Sequence, residues 1–140
     1  MTDRGAECRG TIGLVDAGTV VRAVFDAFGQ RDVEAVIALA TDDVEVWAIG
    51  TASEAGRAEP YRGHDGLREY FADVAAIWRR LEIVPGDLRI AASGVVVFGT
   101  AHGETVDGAV HDGVGVIWIV RLEGERVRSL RITPTTSRPG

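Results

Sequence analysis

At 140 residues, 46% of them hydrophobic, the chain is long enough for one core and too short for two. Its net charge of −6 and pI near 5.0 speak against nucleic acid or an anionic membrane as partner. All 15 basic residues are Arg, which removes Schiff-base and phosphate-loop lysines, and the lone Cys8 removes an intrachain disulfide.

The first residues, Met1 to Gly13, read as a flexible leader with no apolar signal core. No run approaches the roughly 18 apolar residues of a membrane span, so the expectation is a cytoplasmic protein. From Asp16, apolar residues recur at Val20, Val21, Val24, Phe25 and Phe28, the stripe of a helix. Gly29-Gln30-Arg31 breaks it. Asp32 then caps a second helix that turns Val33, Val36, Ile37 and Ala40 inward. Thr41-Asp42-Asp43 is a turn, and Val44 to Ile49 a short strand.

Gly50 to Glu59 reads as a polar loop, long enough to act as a lid. The stretch from Pro60 to Phe71 is a turn entering a third helix, with Asp65 as its cap and Leu67, Tyr70, Phe71, Val74 and Ile77 on one face. Arg79-Arg80 suits its C-terminal end. Leu81 to Val84 and Leu88 to Ala91 are extended, interrupted by a bulge or bend at Pro85-Gly86. Ser93-Gly94 reads as a hairpin turn. Val95 to Thr105 and Ala109 to Leu122 form a hairpin around Asp107-Gly108, and Arg126 to Thr133 follows the turn at Glu123-Gly124-Glu125. The last residues, 135–140, read as a disordered tail, leaving 14–134 as a single domain.

Helices followed by a strand meander with one helix inside it give an α+β fold: three helices on a curved, mostly antiparallel sheet. Several motifs add a resemblance. Tyr61-Arg62-Gly63 followed by Leu67-Arg68-Glu69-Tyr70-Phe71 is similar to the middle helix of the nuclear-transport-factor-two-like superfamily. Gln30 to Ala35, Thr41 to Glu45 and Leu122 to Val127 resemble its helix linker, first-strand entry and last hairpin. That superfamily includes ketosteroid isomerases and SnoaL-like polyketide cyclases. The resemblance implies a cone-shaped pocket between the helices and the concave sheet, and a hydrophobic small molecule as ligand. No cofactor is called for.

Laid on the isomerase pattern, the general-base position falls on Ala48, the tyrosine position on Val24 and the late-strand acid on or near Trp118. None of these moves a proton. Other carriers are therefore needed. Asp112 sits mid-strand, where its strand propensity is low, and His102 lies among small residues; both are candidate acid/bases, with Tyr70 as hydroxyl donor. Val24, Phe28, Ala48, Tyr61, Phe71, Val116 and Trp118 are the candidate ligand contacts, Trp118 as a stacking wall and Tyr61 at the rim. His64, His102 and His111 have no metal-ligand spacing, so no metal is expected. If Asp107-Gly108 is a two-residue turn, Val97 lies opposite Trp118, and His102 points away from that face; one bulge reverses the assignment. The alternative to a cyclase or isomerase is a non-catalytic ligand-binding or dimeric interaction module. A homodimer is expected through the outer sheet face, where Ile117 and Ile119 need a cover.

Overall fold

The computed structural model describes residues 4–91 and 94–135. Four helices, α1 (Arg4–Gly29), α2 (Val33–Ala38), α3 (Ile49–Ala55) and α4 (Gly63–Ile77), pack with six strands. These are β1 (Ala40–Ala48), β2 (Tyr61–Arg62), β3 (Trp78–Ala91), β4 (Gly94–Thr105), β5 (Val110–Glu123) and β6 (Arg126–Pro134). They form one sheet in the order β2-β1-β6-β5-β4-β3. Every pairing is antiparallel except that of β1 with β6. The α+β architecture follows from helices that bury one stripe and strands that bury one face.

The core lies between these layers. Val20 and Val21 of α1, Leu67, Tyr70 and Val74 of α4, and Val97, Val116, Trp118 and Val120 of the sheet are all buried. Along β5 the alternation is clean from Val116 to Val120, with Ile117 and Ile119 on the outer face. Asp32 caps α2 as expected, its carboxylate accepting from the Ala35 N–H at 3.1 Å.

The structure corrects several expectations. α1 begins at Arg4 and so takes in most of the segment read as a flexible leader; glycine in a helix costs about 1 kcal/mol, which weakens a helix without forbidding it. The tail residues 136–140 lie outside the described residues, as does Ser93 of the expected Ser93-Gly94 turn. The polar stretch from Gly50 is no loop. Its first half is α3, which buries Thr51 and Ala52, so four helices stand where three were expected. Asp65 lies in the first turn of α4 and is not its cap; Arg62 holds that position with no side-chain hydrogen bond. α4 stops at Ile77, and Arg79-Arg80 belongs to β3. The Asp107-Gly108 connection is longer than two residues, closed by the Thr105 N–H donating to the Ala109 carbonyl at 2.8 Å.

Candidate functional site: an apolar cavity with a polar mouth

The spaced apolar residues of α1 and α4 and the inward residues of β4, β5 and β6 do not close completely on one another. They enclose a cavity of about 380 Å³, within the range of small-molecule sites. Phe25, Phe28, Tyr70, Phe71 and Trp118 supply aromatic wall, and Val24, Ala48 and Val116 aliphatic wall. Phe25 meets Trp118 edge-on with ring centroids 5.1 Å apart, and Tyr70 stacks on Phe28 at 5.9 Å. Trp118 is only 3% exposed, and a methyl group on Gly99 would come within 2.9 Å of its ring. The missing side chain at Gly99 is therefore filled by Trp118 rather than left as room for a ligand.

Of the seven ligand contacts expected from sequence, Val24, Phe28, Ala48, Phe71, Val116 and Trp118 line the cavity. Tyr61 does not. It is buried in β2, where its hydroxyl donates to Asp73 at 2.7 Å beneath the Arg57 guanidinium, 4.4 Å above its ring. Arg57 also reaches Asp73, at 2.7 Å. Burial pushes the Asp73 carboxyl up, but its bonds from Arg57 and Tyr61 prevail and hold it below the usual carboxylate range. This cluster ties the segment after α3 to α4. The three positions matching the isomerase triad, Val24, Ala48 and Trp118, face the cavity as apolar wall.

The candidate acid/bases separate. Tyr70 lines the cavity, and burial keeps its hydroxyl neutral by pushing its ionisation well above the usual phenol range. Asp112 and His102 are not in the cavity lining. They meet each other instead, at 3.7 Å, and His102 Nδ1 accepts from the Gly113 N–H at 3.1 Å. The cause is a bulge. Val97 pairs with Trp118 and Ala101 with Val114, as the expected register has it, but Gly103 pairs with His111. One residue of β4 thus faces two of β5, Asp112 and Gly113, and Gly113 takes a φ of +65°. Strict alternation from Trp118 would turn Asp112 inward; the bulge turns His111 inward in its place.

His111 is the residue that sequence reasoning missed. Its exposed imidazole stands at the cavity mouth, edge-on to Trp78 at 5.5 Å. The Trp78 ring lies over Gly103, and its Nε1–H donates to Thr51 Oγ1 of α3 at 3.1 Å. Ser53 and Glu54 of α3 complete the mouth. The available signal was Gly113 itself, since an isolated glycine in a strand marks a bulge. Among the described residues no group of three or more His, Cys, Asp or Glu is placed to hold a metal ion, and no helix is long and apolar enough to cross a membrane.

A cone of helices on a curved sheet around an apolar cavity defines a nuclear-transport-factor-two-like protein. Residues 21–130 match the SnoaL-like domain, and the chain belongs to that family. Among solved structures it is similar to a nuclear-transport-factor-two-like protein of unknown function from Burkholderia pseudomallei K96243. That match has a TM-score of 0.76 and 22% identity over 85% of this chain and 90% of that one. TerC, crystallised with polyporic acid, matches with a TM-score of 0.75 and 20% identity over 85% of this chain and 91% of TerC. A protein assigned as a SnoaL-like polyketide cyclase from Jannaschia sp. CCS1 matches with a TM-score of 0.73 and 16% identity, over 88% of each chain. No curated protein matches the sequence.

Proposed function

We propose that this protein binds a flat apolar small molecule in the cavity between α1, α4 and the sheet. The observation that carries the reading is the wall itself: about 380 Å³ enclosed mainly by aromatic and aliphatic side chains, with Thr51, Trp78 and His111 side by side among its few polar groups. Apolar surface buried there gains about 25 cal/mol per Å², and the few polar groups orient what enters. TerC, crystallised with polyporic acid, has the same fold. Titration with neutral 2-naphthylmethanol, followed by calorimetry and tryptophan emission, tests the reading. Saturable binding that Val116→Trp abolishes supports it; absence of binding overturns it.

A second reading, a cyclase- or isomerase-type enzyme, rests on the bulge. Asp112 and His102 lie outside the cavity, so the acid/base roles expected of them pass to His111, with Tyr70 as donor. In that chemistry His111 takes a proton from the carbon beside a ligand carbonyl. The C–H electron pair becomes a carbon–carbon double bond, the carbonyl π pair moves to the oxygen, and the Tyr70 hydroxyl donates a hydrogen bond to that oxygen. Exchange of the α-protons of 2-tetralone in heavy water, lost in His111→Ala, is the expected result; exchange at the uncatalysed rate sinks this reading. A 3-oxosteroid is not expected to isomerise at an enzyme-like rate, because Val24, Ala48 and Trp118 supply neither base nor donor.

A second copy of the chain is the proposed cover for the outer sheet face, where Phe98 is 38% and Val84 43% exposed beside Ile117 and Ile119. Sedimentation as a monomer at micromolar concentration would contradict it.

A further inference from the structure

We propose that the cavity selects its ligand by charge, taking an apolar ring system that carries a basic nitrogen, and that Glu54 makes the selection. The inference rests on the binding function proposed above. The composition of the lining motivates it. Among the described residues no arginine lines the cavity, whereas Glu54 does. The nearest arginine along the chain, Arg57, is already held by Asp73 at 2.7 Å and by Glu69 at 3.6 Å. Arg79, beside Trp78, is held by Glu104 at 3.5 Å and by the Val106 carbonyl at 3.0 Å. Arg31 donates to the Phe28 and Leu81 carbonyls, at 2.5 and 2.8 Å, and keeps its charge, but it is not among the residues that line the cavity. An anionic group at the mouth would meet the Glu54 carboxylate with no arginine among the described lining residues to balance it.

A cation meets the opposite situation. The ammonium of a ligand whose ring lies in the aromatic part of the cavity reaches a mouth built from Glu54, Ser53, Thr51, His111 and Trp78. Glu54 supplies the opposite charge, and the π-face of Trp78 attracts a cation in its own right. The Thr51 and Trp78 side chains are already bonded to each other, which fixes the indole against α3. The chain's net charge of −6 adds a long-range field of the same sign. That field acts from every side, so it is separable from Glu54 by substitution.

The experiment compares three probes of one shape by calorimetry at pH 7.5 and low salt: 2-naphthylmethylamine, 2-naphthylmethanol and 2-naphthoate. The amine is expected to bind about tenfold more tightly than the carboxylate, the exposed pair being gained with one and turned into repulsion with the other. Glu54→Gln should bring the two within about twofold, and Glu54→Arg should invert their order. Glu125→Gln removes the same charge at the β5–β6 turn, the far end of β5 from His111, and should leave the preference in place. Equal binding of amine and carboxylate overturns the proposal, as does a preference that survives Glu54→Gln or that Glu125→Gln erases equally. If the neutral alcohol fails to bind, the binding function itself falls. If the alcohol binds but charge makes no difference, only the selection by Glu54 falls.

Discussion

The wall of the cavity and its mouth are built on different terms. The wall is regular structure: α1 and α4 at helical period, and β5 from Val116 to Val120 alternating strictly. Its side chains are buried or half-buried and packed on one another, with Trp118 against Phe25 and over Gly99. The mouth is irregular, made of a bulge at Asp112-Gly113 and the two-turn helix α3, and His111 and Glu54 there are exposed. Close packing fixes the shape of the wall and makes it costly to alter, while exposure makes the mouth cheap to change. The wall therefore holds the stability and the mouth the polar chemistry.

Substitutions at the two sites test that division. Trp118→Ala should cost the most, about 3–5 kcal/mol, because it removes a buried indole and leaves a hole that Phe25 cannot fill. A fall in the urea midpoint at unchanged slope measures it; a loss under 1 kcal/mol would break the comparison. Gly113→Ala should cost about 1–2 kcal/mol from its left-handed backbone alone, since nothing lies within 4 Å of the added methyl. A larger loss would mean that the bulge is as tightly packed as the wall.

Asp73→Asn should cost about 1 kcal/mol at neutral pH by weakening the Arg57–Asp73–Tyr61 link that backs the mouth. Its pH dependence follows from the lowered carboxyl pKa. The link contributes in full above the ordinary carboxylate value near 4 and fades as pH falls through the lower, folded-state value. The wild type should thus lose stability more steeply than Asp73→Asn between pH 4 and pH 2, and parallel acid curves would refute the link. His111→Ala should change stability least, by less than about 0.5 kcal/mol, yet alter tryptophan emission through Trp78. An unaltered emission spectrum would remove the His111–Trp78 contact from the account.

The same division explains what the sequence discloses. Periodicity names Val24, Phe28, Phe71, Val116 and Trp118 as wall, because a helix or strand that buries one face must repeat its apolar residues. The two-residue turn expected at Asp107-Gly108 pairs Val97 with Trp118; the connection is longer, but the bulge restores that register. Periodicity fails where one extra residue enters a strand: Asp112 and His102 were read as possible site residues, and the bulge gives that position to His111. α3 was legible only as a polar stretch, since seven residues are too few to show a helical stripe. Tyr61 misled for another reason. A tyrosine beside a pocket helix suggests a rim, but its hydroxyl donates to the half-buried carboxylate of Asp73 on α4 instead.

The parallel pairing of β1 with β6 has a consequence for how the chain reaches this state. Ala40 registers with Val127 and Ala48 with Ile132, and the Val127 N–H donates to the Leu39 carbonyl at 2.7 Å. β1 therefore waits for β6, more than 75 residues further along the chain. While the ribosome is still extending β5, β1 has only the two residues of β2 as a sheet neighbour, and the space over Ala48 stands open. Hairpins β3–β4 and β4–β5 are local and can form early, whereas closure across the β1–β6 seam carries the loop entropy of most of the domain. Leu130 and Ile132 of β6 line the cavity, so cavity and seam are completed together, once β6 is in place.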